Sequence, residues 1–188
     1  MDLWSRAFEV AGVCLADSLP MRWSHVQGVA RQSAQMSVIL SKSDSDLLRS
    51  AAILHDIGYS STLRKTGFHP LDGARYLAEI GFPNRLCALV AHHSCAYREA
   101  ELRGLSAELT AWKDEGTSLR DALWWADMTT TPSGEITNVG DRIEEIEKRY
   151  GPEDLVTFFI RQAEPELIGA VERTEARLRA AGVDYTAK

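Results

Sequence analysis

Apolar residues recur along this chain at three- and four-residue intervals and seldom alternate, a pattern that predicts helices throughout and no sheet. Residues 2–18 set Leu3, Phe8, Val10, Val13 and Leu15 among charges, an amphipathic helix stopped before Pro20. A second helix is predicted over 21–40, with His25, Val29, Met36 and Ile39 on roughly one stripe. Ser43, followed three residues later by Asp46 and then by Leu47 and Leu48, forms a capping-box start for a third. That helix carries His55 and Asp56 to its end and stops at Gly58. Leu48, Ala52 and His55 continue one buried stripe, and Asp56 is turned about 100° from it.

A polar loop over 59–67 follows, and Pro70 then sits at the opening of a helix that runs through Leu77 and Ile80 to Gly81, with His69 at its entrance. Pro83 opens a short helix in which Leu86, Leu89, Val90 and His93 share an inward face while His92 points about 100° away. Residues 98–116 are charged and broken by Gly104, consistent with two short helical turns. Ser118 and Asp121 repeat the capping-box signature before a helix that passes Trp124 and Trp125 and reaches Asp127. Beyond a turn-rich loop at 129–134, helices are predicted over 138–150, 153–163 and 166–181.

Composition adds scale and excludes some classes. A chain of 188 residues holds one well-buried core, so a single domain over 1–188 is expected, with a core at about 20–130 and the helices of 138–181 packed on it. The net charge of −6, with no Lys/Arg block, argues against nucleic acid as a partner. Cys14, Cys87 and Cys95 are odd in number without C-x-x-C spacing, so they read as packing residues in a reducing compartment. Cys95, two residues beyond the histidine pair, is the one that could touch a metal. Charges at Asp2, Arg6 and Glu9 interrupt any signal-peptide core, and no run approaches the ~18 apolar residues of a membrane span. A cytoplasmic location, away from membranes, is expected.

The histidines change the picture most. All five lie between residues 25 and 93, and one of them adjoins Asp56 at the end of an apolar run, where a bare charge needs a cation or donor. Taken alone, His25 reads as a core histidine bonded to a carbonyl, and Asp127 as a helix-end carboxylate in water. Together the groups read differently. His25, His55, Asp56 and Asp127 offer the mixed nitrogen and oxygen donors that suit Fe, Mn, Co, Ni or Zn. With Asp56 bridging, His69 and one or both of His92 and His93 offer a second site. Spacing favours His93 as the inward member; the alternative is that His92 ligates while His93 supports it or meets a phosphate. Two such ions activate water, bind phosphoryl oxygens and hold the line of attack, which is the machinery of phosphoester hydrolysis. Asp56 and Asp127 are the candidate catalytic carboxylates, Asp127 orienting the nucleophile as well as ligating. Arg64 and Lys65, in the loop leaving the site, could reach an anion, although a solvated loop is the favoured reading.

The order of His25, then His55-Asp56-Ile57-Gly58, then His69, then His92-His93, then Asp127 resembles the HD-domain superfamily of metal-dependent phosphohydrolases. The likeness spans about residues 20 to 130. It implies an all-α helical bundle with a metal centre in the core, and His25, His55, Asp56 and Asp127 as its defining ligands. His69 and the His92-His93 pair match the positions that add a second metal. The likeness is greatest to small stand-alone bacterial hydrolases, including those acting on symmetrical dinucleotides. Two departures narrow the substrate: no Gly-Tyr-Pro follows His93 and Tyr59 stands where a Lys is usual, against cyclic-di-GMP; the loop after Asp127 lacks the Lys common in the dinucleotide enzymes. Arg22 and Arg142 are further candidates for a phosphate. The expectation is therefore a hydrolase of a nucleotide or other small phosphate ester with one or two divalent ions. The alternatives are a di-iron oxygenase of a small organic substrate and a metal-stabilised sensor without turnover.

Overall fold

A computed structural model describes residues 1–183; 184–188, the end of the expected domain, lie outside the described residues. Among the described residues there are ten α-helices and no strand. They are α1 (Leu3–Leu15), α2 (Pro20–Ser33), α3 (Lys42–Leu54), α4 (His69–Glu79), α5 (Asn84–Ala91), α6 (Ala96–Leu102), α7 (Ser106–Leu109), α8 (Ser118–Met128), α9 (Val139–Tyr150) and α10 (Leu155–Ala180). Short 3-10 turns follow α2, α3 and α5 at Ala34–Val38, Ile57–Tyr59 and His93–Cys95. The chain is all-α, as its periodicity predicts.

Two helices form the centre, and both end on candidate ligands. In α3, Ser50 through Leu54 are all fully buried, because α1, α2, α5 and α8 pack around that helix. In α8, Asp121 through Met128 are buried, with Trp124 and Trp125 at 1% and 0% exposure. Truncating either indole costs about 3–5 kcal/mol on the usual scale for buried aromatics. The last turn of α3 and most of α8 are enclosed on every side, and the polar groups at their C-terminal ends are thereby brought into the core. α10 lies across α8, α9 and α6. Its Arg173 grips Asp121 of α8 at 2.8 and 3.0 Å, and its Glu166 accepts from Tyr97 of α6 at 2.6 Å.

Four boundaries differ from those the pattern predicts. The second helix stops at Ser33 rather than running to 40; the Ser33 hydroxyl bonds back to Ala30 O at 3.0 Å, and the chain tightens into the 3-10 turn that buries Met36. Ser41, not Ser43, caps α3, accepting from Asp44 N at 3.1 Å; two overlapping Ser-x-x-Asp motifs compete and the earlier one is used. Thr117 caps α8 one residue ahead of Ser118. The two helices expected at 153–163 and 166–181 are one, α10, with Pro165 inside it. An internal Pro costs ~3 kcal/mol in a lone helix. Here a continuous buried stripe, Phe159, Ile160, Ala163, Leu167, Ala170, Val171 and Leu178, offsets that cost. No helix among the described residues is long and apolar enough to cross a membrane.

Candidate metal centre

Each imidazole is aimed by the backbone behind it. His25 lies in α2, and its Nδ1–H donates to Thr131 O at 3.0 Å. That contact requires the loop after α8 to lie flat against α2, which Gly28 and Gly134 allow: a Cβ on Gly28 would stand 2.6 Å from Gly134 Cα. His55 caps α3, and its Nδ1–H donates to Ala52 O at 2.7 Å. His93 does the same to Val90 O at 2.7 Å. With Nδ1 engaged in this way, the Nε2 lone pair of each faces inward, the tautomer a metal ligand needs. His69 opens α4 and is held by stacking on Tyr59, ring centroids 4.0 Å apart. Gly58 brings that helix start close, since a Cβ there would sit 2.0 Å from His69 O.

The acids lie between the rings. Asp56 directs Oδ2 toward His55 Nε2 at 3.4 Å and His25 Nε2 at 3.9 Å, and Oδ1 toward His69 Nε2 at 3.2 Å and His93 Nε2 at 3.8 Å. Asp127, in the last turn of α8, places Oδ1 3.0 Å from His25 Nε2 and 3.8 Å from His55 Nε2. His25, His55 and Asp127 thus form an inner half and His69 and His93 an outer half, with Asp56 between them. The ligand atoms of His25, His55 and Asp127 all lie within 4.8 Å of one another, as do those of His55, Asp56 and His93.

This arrangement fits divalent ions and is poorly satisfied by the side chains alone. His55 Nε2 is buried without a hydrogen-bond partner; Asp56 Oδ2, 3.4 Å away, is an electrostatic neighbour rather than an acceptor. The Nε2 atoms of His69 and His93 face each other at 3.1 Å, where two lone pairs repel unless a proton or cation lies between them. By the side chains alone, burial depresses the His55 pKa, but the charges of Asp56 and Asp127 outweigh it and push it up to about 9. Burial and the neighbouring His55 and His69 push His93 down to about 3. Burial raises Asp56, yet Arg22 and His55 hold it well below the usual carboxylate range; Asp127 is likewise depressed against its burial, by His25 and His55. One acidic cluster therefore stays ionised at the bottom of the fold. Four imidazole nitrogens and two carboxylates are donors that suit first-row divalent metals.

Not every candidate from the sequence reaches this centre. His92 is turned away: its Nε2–H donates to Trp112 O at 2.8 Å and its own carbonyl accepts from Trp124 Nε1 at 2.9 Å. A ligand role for it does not fit this geometry, because α5 ends at Ala91 and the following turn sends consecutive side chains to opposite sides. Arg64 and Lys65 are exposed and outside the cavity, Lys65 lying 3.9 Å from Glu79. Asp72 explains this: buried beneath the loop, it accepts from the N–H groups of Lys65, Thr66 and Gly67 at 3.0–3.1 Å, which draws the backbone inward and turns both cations out. Cys95 is buried and free, and belongs to neither cluster of potential ligands.

Arg22 and Arg142 do reach it. Arg22 Nη1 donates to Asp56 Oδ2 at 2.6 Å with its guanidinium 4.0 Å above the Tyr59 ring. Arg142 Nη2 lies 4.0 Å from Asp127 Oδ1, and its buried Nε–H has no partner. Both line a cavity of about 540 Å³ of empty space that opens from the centre to solvent. Sequence reasoning missed Tyr59, Ser94, Glu99, Arg149 and Tyr150 in its walls. For α9 the signal was present: Arg142, Ile146, Arg149 and Tyr150 stand at i, i+4, i+7 and i+8, one helix face.

No curated protein and no solved structure matches the chain. The profile of the HD domain matches residues 22–154, from Arg22 through every residue of the centre to the start of α10. The family so matched binds divalent metal and consists generally of metal-dependent phosphohydrolases. By that match and by its all-α architecture, this chain belongs to the HD-domain family.

Proposed function

We propose that the protein hydrolyses a small phosphate ester at a centre of two divalent ions. The observation that carries this reading is the division of Asp56, whose Oδ2 faces the inner imidazoles at 3.4 and 3.9 Å and whose Oδ1 faces the outer ones at 3.2 and 3.8 Å. A carboxylate shared in this way is what a bridging ligand requires. Ions held there supply Lewis acidity toward a phosphoryl oxygen and a source of hydroxide near neutral pH.

The chain's own residues bind and orient the ester. Arg22 and Arg142 bring planar guanidiniums to the rim of the centre, and their forks match phosphate oxygens. The unpartnered Nε–H of Arg142 is a buried donor that an anion would satisfy. Beside them, Ile146, Phe159 and Ile160 from α9 and α10 give the same cavity an apolar lining that would limit water around a bound ester. Two guanidiniums at the rim favour an anionic substrate, which would compete with the Asp56 and Glu145 carboxylates that they face.

The test is elemental analysis of protein purified without added metal, followed by a phosphatase screen on nucleotides and simple monoesters with Mn, Co, Ni, Fe or Zn supplied. Two ions per chain and release of phosphate are expected. A di-iron protein that consumes O₂ and leaves phosphate esters intact overturns the reading in favour of an oxygenase, and a metal-bearing protein inert in both assays overturns it in favour of a sensor.

A further inference from the structure

Among the described residues, Ser94 and Cys95 are the two non-glycine positions with left-handed backbone, at φ 45° and φ 60°. They are adjacent, they are buried, and they directly follow His93. Side-chain-bearing residues hold this conformation in succession only where the surroundings over-determine it. Here α8 supplies the constraint twice. Trp124 Nε1 donates to His92 O at 2.9 Å, and one turn later Asp127 receives the Ser94 hydroxyl at Oδ2, 2.6 Å away.

The second contact divides the Asp127 carboxylate. Oδ2 belongs to Ser94, and Oδ1 is left facing His25 Nε2 at 3.0 Å and His55 Nε2 at 3.8 Å. A free aspartate rotates broadly about its terminal torsion and can offer one oxygen or both. We infer that Ser94 is a positioning residue, whose hydroxyl fixes Asp127 so that Oδ1 alone is presented to an ion at the inner half of the centre. The left-handed turn is what puts the hydroxyl there. The left-handed backbone and the carboxylate orientation thus meet in one hydrogen bond of 2.6 Å. This inference rests on the metal centre proposed above.

The test titrates Co²⁺ into the metal-free wild type, Ser94→Ala and Ser94→Gly, reading the dissociation constants and the visible absorption of bound Co²⁺. Both variants delete the hydroxyl, and only glycine also relaxes the backbone. Both are expected to bind the tighter Co²⁺ about tenfold more weakly, the usual loss when the group behind a ligand is removed, and to show the same altered band. Constants and spectra equal to the wild type in both variants overturn the role of Ser94 and leave the centre standing. Weak binding in Ser94→Ala with wild-type binding in Ser94→Gly also overturns it, because the backbone would then be the cause. A wild type that binds no Co²⁺ overturns the centre itself, and this inference with it. Should Ser94→Ala fail to fold, Ser94→Gly decides alone.

Discussion

The inner and outer halves of the centre are built from the same residue types and held in different ways. His25 and His55 sit inside or at the end of core helices, each with Nδ1 tied to a backbone carbonyl and side chains only 2% and 1% exposed. His93 shares that treatment, but its partner His69 stands at a helix entrance, 15% exposed and steadied by an aromatic stack. A donor set fixed before the ion arrives loses little freedom on binding, whereas one resting on a helix start and a ring contact must be ordered at that moment. On the two-ion reading proposed above, the difference predicts unequal ions: an inner one tight and slow to exchange, and an outer one weaker and next to the cavity.

The largest effect removes what the halves share. Asp56→Ala is expected to lose both ions, with turnover falling far more than ~100-fold, since even groups behind a ligand are worth 10–100-fold. Elemental analysis of the purified variant checks this, and a full inner ion would break the bridging assignment. His69→Ala should separate the halves, keeping one ion per chain and losing the other, with turnover down on the order of a hundredfold. Retention of both ions there would remove the distinction altogether. Gly58→Ala acts on the outer half through packing, because its Cβ would stand 2.0 Å from His69 O. A cost of about 2–3 kcal/mol and a melting point lower by roughly 5–10 °C are expected, with the outer ion weakened before the inner. Calorimetry with stepwise metal addition measures both. The smallest effect is expected at His92→Gln, which should keep both ions and lose about 1 kcal/mol through the bond to Trp112 O. Metal loss in that variant would return His92 to the ligand set.

How much of this was legible in the sequence depended on whether neighbours along the chain or neighbours in space decide the outcome. Helix periodicity and the recurrence of His and Asp at helix ends are local, and they led to His25, His55, Asp56, His69, His93 and Asp127 as residues that the fold brings together. The inward stripe of α5 favoured His93 over His92 but left the choice open, because it turns on where the chain after Ala91 sends each ring. The solvated reading of Arg64 and Lys65 was open to sequence, but its cause was not, because Asp72 sets their orientation by binding the loop from below. Continuity of α10 through Pro165 was hidden for the same reason: the burial that offsets the proline comes from α8 and α9. Ser94 left no trace at all, since left-handed backbone at a serine carries no residue-type mark comparable to glycine.

The meeting of Gly28 and Gly134 has a consequence for how this chain can vary. The two positions are more than a hundred residues apart, yet the absence of a side chain at each keeps Thr131 O within 3.0 Å of the His25 ring. Either glycine replaced by alanine lifts the loop from α2, and no change at the other can compensate, because neither has a side chain left to shorten. Two small residues thus act as a single locked pair, and mutational drift at either one acts on the bond that aims the His25 ring.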